Sequence, residues 1–125
     1  MTNLGQWGEE YAAQEYKQQG YKVLDKNYFN RRGKQIGELD FIAVRGRELA
    51  FVEVKTRTSA RFGTGAESVN SFKQRKLVKA CKYFLATHKD YQDFIYRIDV
   101  VVVTTNLDRT NTSATILTNA VEDIQ

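Results

Sequence analysis

Two apolar segments joined by four residues constrain the fold more than any other feature of this sequence. Residues 39–44 and 49–54 are rich in β-branched and other apolar side chains, and residues 45–48 between them include Gly46. Segments of this length and composition are typical of β-strands, and so short a connection joins antiparallel neighbours. The pair therefore predicts a β-hairpin.

The other elements are predicted by periodicity. Apolar residues at helical spacing indicate a first helix over residues 4–19, ending at Gly20, and a second helix that begins with a Ser71/Gln74 capping-box pattern. The remaining predictions are a strand at 21–28, a loop at 56–70, a strand buried on both faces at 97–105 and a short edge strand at 114–117. This order indicates an α/β fold, a mixed sheet with helices packed on it.

Length and composition favour one soluble globular domain over residues 1–125. Hydrophobic residues make up 42% of the chain and charged residues 27%, close to globular averages. The longest apolar run, residues 98–103, is far shorter than a membrane span, and the N-terminal residues lack the pattern of a secretory signal. We therefore expect a cytoplasmic location and no membrane partner.

The single cysteine and single histidine restrict the chemistry that the chain can support. Cys81 has no intrachain disulfide partner, and its apolar helical surroundings indicate a buried small side chain. His88 follows the end of the second predicted helix and is expected to be exposed. Cysteine-based zinc sites and histidine-rich clusters are excluded, so any metal must bind oxygen ligands.

Basic residues bracket an acidic motif in the middle of the chain. The formal net charge is +4 and the pI is about 9.2, which favours a polyanionic partner. The cations that we consider for nucleic-acid binding are Arg31, Arg32, Lys34, Arg57, Arg61 and Lys73. Such runs are often only solvated faces, and both interpretations stay open at this point.

Two carboxylates and a lysine are expected to meet on one face of the hairpin. Side chains alternate along a strand, so Glu53 and Lys55 share a face, and the short turn brings Asp40 of the neighbouring strand beside them. A hard divalent cation such as Mg²⁺ relieves the repulsion of paired carboxylates, and Lys55 could orient an attacking water. An isolated Glu-x-Lys is more often a solvated salt bridge, so the motif alone is weak.

The first helix offers a further acid. Glu9 flanks its apolar stripe, whereas Glu10 falls on the far side, and Gly8 would allow a close approach of another backbone or a phosphate. Lys73, near the start of the second helix, could meet a phosphate with help from the helix dipole.

These motifs, taken together, resemble the PD-(D/E)xK nuclease superfamily and, more closely, the uncharacterised bacterial YraN-like family, whose relatives include archaeal Holliday junction resolvases. The signatures are Gly5-x-x-Gly8-Glu9-x-x-Ala12, Asn27, Gly37-Glu38-Leu39-Asp40, Phe51-Val52-Glu53-Val54-Lys55-x-Arg57, Phe62-Gly63 and Arg97-Ile98-Asp99-Val100-Val101. The resemblance implies a restriction-endonuclease-like αβββαβ core in which Asp40 and Glu53 bind Mg²⁺, Glu9 completes the metal shell and Lys55 assists catalysis.

The sequence departs from the superfamily pattern at two places. Leu39 stands where the superfamily name has proline, and Val78 stands where exonuclease relatives carry the tyrosine of a glutamine–tyrosine pair, which disfavours an exonuclease. Asp99 matches the family pattern, but beside Arg97 a structural ion pair is the expected role.

The leading hypothesis is a Mg²⁺-dependent endodeoxyribonuclease, in which Mn²⁺ can substitute, acting on DNA that includes branched or junction DNA. A homodimer would suit the two symmetric cuts that a junction needs. One alternative is a nucleic-acid-binding module with little or no cleavage. Another is an interaction protein that uses its aromatic residues, although these mostly fall at core-like positions.

Overall fold

Helices and strands of one mixed sheet fill the parts of the chain that the computed structural model describes, residues 3–29, 38–58 and 71–121. The elements are α1 (Leu4–Gln18), β1 (Lys22–Phe29), β2 (Glu38–Arg45), β3 (Glu48–Arg57), α2 (Ser71–Thr87), a short 3-10 helix (Lys89–Tyr91), β4 (Ile95–Thr104) and β5 (Ser113–Val121). This order is the expected restriction-endonuclease-like αβββαβ core followed by a further strand.

The five strands lie in the order β1-β2-β3-β4-β5. Strands β3 and β4 are parallel, with Glu53 beside Val100, and the other neighbouring pairs are antiparallel. A parallel pair needs a crossover connection, and α2 lies in the crossover between β3 and β4. The predicted mixed sheet flanked by helices is confirmed.

The predicted hairpin is the β2–β3 pair. Arg45 faces Glu48 across a turn at residues 46–47, where Gly46 has a φ of 60°. A positive φ of this kind is readily adopted by glycine, which explains why this residue type stands at the tight turn. The hairpin fixes the register that later places the acidic residues.

The two helices pack on opposite faces of the sheet. On one face α1 contributes Ala12, Ala13 and Tyr16, which pack with the buried side chains Phe41, Ala43, Ala50, Val52, Val101 and Val103. On the other face α2 contributes Leu77, Val78, Ala80, Cys81 and Phe84, which pack with Ile42, Leu49, Phe51, Ile98 and Val100 among others. Residues 98–103 of β4 are buried throughout, as a strand covered on both faces should be.

Several predicted bounds are corrected by the structure. β3 continues through Arg57, into the predicted loop, and β5 spans Ser113–Val121 instead of residues 114–117. α2 begins at Ser71, where the sequence predicts the start of the second helix. Cys81 is buried and His88 is exposed, as expected, and the His88 ring stacks on Phe84 at 4.0 Å.

None of the helices in the described ranges is long and apolar enough to cross a membrane.

Candidate active site

Asp40 and Glu53 come together at one end of the β2–β3 hairpin. The register pairs Phe41 with Val52 and Ile42 with Phe51, so one further step along both strands brings Asp40 opposite Glu53. The two carboxyl groups share a hydrogen bond, and Asp40 Oδ2 accepts a second one from the backbone N–H of Val54 at 2.6 Å. The sequence prediction that these two acids converge therefore agrees with the geometry.

The surroundings of Asp40 strongly favour its protonated form. Burial is the largest cause, followed by the charge of Glu53 and the hydrogen bond between the two carboxyl groups, and together they raise the pKa of Asp40 to about 9. The charge of Glu9 adds to this effect, while the hydrogen bond from Val54 opposes it. Without a cation, Asp40 therefore keeps its proton at neutral pH beside the carboxyl group of Glu53.

Glu9 reaches the same end of the sheet from α1. Its preceding residue, Gly8, is buried against β3, where an added Cβ would lie only 1.8 Å from Oγ1 of Thr56. No side chain larger than hydrogen fits in that gap, so glycine lets the start of α1 rest directly on the strand. Glu9 is partly buried and raises the pKa of Asp40, whereas Glu10 is exposed. The geometry thus favours Glu9 over Glu10.

Lys55 and Lys73 both lie next to Glu53. Lys55 Nζ is 4.0 Å from Glu53 Oε2, and Lys73 Nζ is 2.7 Å from the same oxygen. Burial lowers the pKa of Lys55 below its usual value, and the hydrogen bond and charge of Lys73 lower it further. Burial is the largest single influence on Lys73 and lowers its pKa, but the hydrogen bond to Glu53, the contact with Lys55 and the charges of Glu53 and Asp40 together outweigh it, so the net shift is upward. The site therefore holds two cationic side chains of unequal basicity.

The contact between Lys73 and Glu53 is the feature that the sequence prediction missed. Lys73 was assigned to phosphate binding, on the grounds of its position near the start of α2. A signal was present nonetheless: Lys73 stands four residues before Leu77, so the two share a helix face. Leu77 is buried in the core that also contains Phe51, and Phe51 shares a strand face with Glu53.

The carboxylate oxygens of Asp40 and Glu53 are the type of ligand that a hard divalent cation binds. Carboxylate oxygens are the ligands that Mg²⁺ prefers, and Mg²⁺ commonly binds through one or two carboxylates while it keeps several waters. Asp40 and Glu53 supply such a pair, and a cation would take the place of the proton that the raised pKa of Asp40 retains. Across the described ranges no group of three or more Asp, Glu, His or Cys side chains is arranged to hold a metal ion. Glu9 is thus near the pair without forming a three-ligand cluster.

Two of the basic residues predicted to bind nucleic acid, Arg57 and Lys73, lie in the described ranges. Arg57 is partly buried at the end of β3, two residues beyond Lys55, and Lys73 lies at the carboxyl pair. Arg31, Arg32, Lys34 and Arg61 lie outside the described residues, as do Gly37 and the Phe62-Gly63 pair.

The buried carboxylate of Asp99 is surrounded by hydrogen-bond donors, one of them a cationic side chain. Its carboxylate is fully buried and accepts hydrogen bonds from Tyr16 Oη at 2.7 Å, from Arg97 Nε at 3.0 Å and from the Asn119 N–H at 2.9 Å. Arg97 continues the network to Glu48 and to the hydroxyl of Tyr21. The expected ion pair with Arg97 is confirmed, in the middle of β4 and under α1.

Comparison with known proteins identifies relatives over most of the chain. Residues 8–103 match the model of the family described as "Uncharacterised protein family UPF0102". A UPF0102 protein of Acinetobacter baumannii (strain AYE) is 44% identical over 98 residues, which are 78% of this chain and 71% of that protein. UPF0102 proteins of Caldanaerobacter subterraneus subsp. tengcongensis and Clostridium perfringens are 39% and 38% identical, each over 85% of this chain and 83% of the relative.

Proposed function

The chain belongs to the uncharacterised protein family UPF0102, and from this membership and the geometry of Asp40 and Glu53 we propose that it is a Mg²⁺-dependent endonuclease. It would hydrolyse phosphodiester bonds in DNA, with Mn²⁺ able to replace Mg²⁺. We place it in the PD-(D/E)xK superfamily, related to Holliday junction resolvases, and a DNA substrate implies a cytoplasmic location. The observation that carries the proposal is the adjacent pair of carboxyl groups of Asp40 and Glu53, with Lys55 and Lys73 beside it.

The roles of the residues follow from their positions. Asp40 and Glu53 would hold the cation, and Glu9 would add negative charge from α1. A bound Mg²⁺ would polarise a phosphodiester oxygen and lower the pKa of a water. Lys55 lies within 4.0 Å of Glu53, on the face that the substrate must approach, and there it would orient the attacking water and neutralise charge on the phosphate. Lys73 would stabilise Glu53 until the substrate binds.

The reaction needs no covalent intermediate with the enzyme. A water oxygen forms the new bond to phosphorus and gives up a proton to the solvent, the P–O bond on the opposite side breaks, and the leaving oxygen takes up a proton from the solvent. The lowered pKa of Lys55 makes its ammonium a stronger hydrogen-bond donor than an ordinary lysine, which suits it to orienting the attacking water. Acids fixed on two hydrogen-bonded strands give the positional precision that such a reaction requires.

Branched DNA is the substrate form that we propose first. A junction has two symmetric strands to cut, so a twofold assembly of this chain would place two sites correctly. Light scattering coupled to size exclusion tests the assembly, because a junction-bound homodimer has twice the protein mass of a monomeric complex.

A second candidate function is a nucleic-acid-binding module that does not cut. One observation favours it: Lys73 Nζ already lies against Glu53 Oε2 at 2.7 Å, the position that a cation would share. If Lys73 is not displaced, the basic surface could still bind DNA while hydrolysis stays slow.

The two functions are separated by one assay. Purified protein is incubated with linear duplex, single-stranded and four-way-junction DNA, in Mg²⁺, in Mn²⁺ and in EDTA, beside the variants Asp40→Ala and Lys55→Ala. Metal-dependent cutting that both variants lose supports the nuclease, and Asp90→Ala serves as the exposed-acid control. Retained DNA binding without cutting under every metal condition would support the binding module instead.

A further inference from the structure

We infer that Trp7, Arg109 and Leu107 form a stacking surface for unpaired nucleotides at the end of the sheet that carries the carboxyl pair. The inference rests on the proposed nuclease function and specifies its substrate: DNA with single-stranded nucleotides next to the bond that is cut. The surface is built from the start of α1 and from the β4–β5 loop, residues 105–112, which the proposed reaction itself does not use.

The loop and the helix are joined by an aromatic stack. Arg109 Cζ lies 5.2 Å from the centre of the Trp7 ring, and the Trp7 and Tyr11 rings are 5.6 Å apart. Tyr11 Oη donates to the backbone oxygen of Thr112 at 3.5 Å, a long contact at the far end of the loop. Trp7 is partly buried on the edge of the α1 core and partly exposed. The Trp7 ring is thus held between the Tyr11 ring and the guanidinium of Arg109, and part of it remains exposed.

The loop has a defined shape before anything binds. Asn106 Oδ1 accepts hydrogen bonds from the N–H groups of Thr110 at 2.9 Å and Asn111 at 3.0 Å, which closes the loop around its own backbone. Arg109 has a φ of 62°, a left-handed conformation, and its guanidinium lies over the Trp7 ring of α1. Leu107 of the same loop is 90% exposed. A large exposed apolar side chain on a loop with its own hydrogen bonds resembles the wedges that enter between bases.

The stacking surface lies at the active-site end of the sheet. Gly8 faces β3, and neighbouring helix residues point about 100° to either side, so Glu9 turns toward Asp40 and Trp7 turns toward the β4–β5 loop. The loop begins where Thr105 N–H donates to the backbone oxygen of Arg57 at 3.0 Å, two residues beyond Lys55.

The chemistry of the surface matches single-stranded better than duplex DNA. Arg57 and Arg109 provide charge for the backbone, while the one acid of the loop, Asp108, accepts from Thr110 Oγ1 at 2.7 Å within the loop itself. An indole ring and an exposed leucine, however, gain nothing from phosphates. They gain from the faces of bases, and those faces are accessible only where bases are unpaired.

The chain provides its own reporter, since Trp7 is its only tryptophan. Metal-free protein is titrated with an oligothymidine, with a blunt duplex and with a duplex carrying a single-stranded flap, and Trp7 fluorescence is followed together with the anisotropy of labelled DNA. We expect fluorescence quenching by the oligothymidine and the flap, and none by the blunt duplex. Trp7→Ala should weaken flap binding about tenfold, the loss expected for one stacked base. Trp7→Phe should recover most of it.

The control is Arg47→Ala. Arg47 also stacks on an aromatic ring, that of Phe94 at 5.1 Å, but it lies at the β2–β3 turn, at the opposite end of β3. This variant should bind the flap as the wild type does, whereas Arg109→Ala and Leu107→Ala should each weaken it. DNA binding with unchanged Trp7 fluorescence would overturn the stacking surface and leave the nuclease proposal standing. Metal-dependent cutting of the blunt duplex as fast as the flap would do the same, and absence of any DNA binding would overturn both.

Discussion

The ammonium of Lys73 lies 2.7 Å from Oε2 of Glu53, closer than the 4.0 Å that separates Lys55 from the same oxygen. The Glu53 side chain is only 8% exposed, so its charge depends on a nearby cation. A residue from α2 thus supplies in the metal-free protein the positive charge that a divalent ion would supply when bound. The strength of metal binding should therefore depend on Lys73.

Replacement of Lys73 by glutamine tests this dependence. We expect Lys73→Gln to lower the free energy of unfolding of the metal-free protein by about 1–2 kcal/mol, because a buried carboxylate loses a charged hydrogen-bond partner that solvent partly screens. Mg²⁺ should stabilise this variant more than it stabilises the wild type. Urea unfolding with and without Mg²⁺ measures both effects.

Lys79→Gln is the matched control, since Lys79 is exposed on the same helix. It should change neither the stability nor the response to Mg²⁺ by more than a few tenths of a kcal/mol. An equal response of both variants to Mg²⁺ would contradict the role assigned to Lys73.

Asp40 should make the stability of the metal-free protein depend on pH. Burial and the neighbouring charge of Glu53 raise the pKa of Asp40 to about 9 in the folded state, so the folded protein keeps a proton that the unfolded chain has already released. More protons bound in the folded state mean that stability falls as pH rises. The loss begins near the ordinary carboxyl pKa of about 4 and continues up to the folded value of about 9.

Asp40→Asn removes this dependence, because asparagine cannot titrate. We expect the free energy of unfolding of the variant at pH 8 to exceed that of the wild type by about 1–3 kcal/mol. This is the usual cost of one buried polar group that lacks a hydrogen-bond partner. The difference should shrink toward pH 5, and saturating Mg²⁺ should shrink it at pH 8. Urea unfolding at several pH values is the measurement, with Asp90→Asn as the exposed control. Parallel pH profiles for wild type and Asp40→Asn would show that Asp40 is not protonated at neutral pH.

Gly8 should tolerate substitution poorly although it lies in a helix. A Cβ at this position would be 1.8 Å from Thr56 Oγ1 and 2.9 Å from Thr56 Cβ, so α1 or β3 would have to move. We expect Gly8→Ala to destabilise the protein by about 1–3 kcal/mol, the usual effect of overpacking, and to lower any nuclease activity through the neighbouring Glu9 and Lys55.

Gly5→Ala in the same helix provides the comparison. Its Cβ would meet only Asn3 Oδ1 at an ordinary 3.7 Å, so this variant should gain up to about 1 kcal/mol from helix propensity. The double variant Gly8→Ala/Thr56→Ala should recover part of the loss, since it removes the closest atom. Thermal unfolding measures the stabilities of these variants. Equal stabilities for Gly5→Ala and Gly8→Ala would rule out the close approach of α1 to Thr56.

The parts of the fold that the sequence predicted well depend on local rules. Alternation along a strand and a short hairpin turn together determine that Asp40, Glu53 and Lys55 share a face, and both are visible in a few consecutive residues. The buried run in β4 was equally evident, because every residue from Ile98 to Val103 is either apolar or Asp99. The ordering of helices and strands followed from these segments.

The parts that sequence analysis missed depend on distant packing or on weak patterns. The contact of Lys73 with Glu53 requires the crossover through α2, whose placement on the sheet no local pattern specifies. β5 was predicted too short because it lies at a sheet edge, where polar residues such as Thr118 and Asn119 are exposed and the alternation is diluted. Its pairing is also interrupted by an irregularity between Ile98 and Val100, and Asn119 has a φ of 53°.

Asp99 offers a test of whether a buried acid of the family pattern is structural or catalytic. Asp99→Ala would leave the hydroxyl of Tyr16, the guanidinium of Arg97 and the N–H of Asn119 without their shared acceptor inside the fold. We expect a loss of about 3–5 kcal/mol in the free energy of unfolding, the scale seen when one partner of a buried ion pair is removed. Asp93→Ala, which breaks an exposed pair with Arg47, should lose less than about 1 kcal/mol. Cleavage per folded molecule should stay unchanged in both variants at low temperature, because Asp99 acts through the packing of α1 on β4. A stable Asp99→Ala variant that no longer cuts DNA would instead place Asp99 among the catalytic residues.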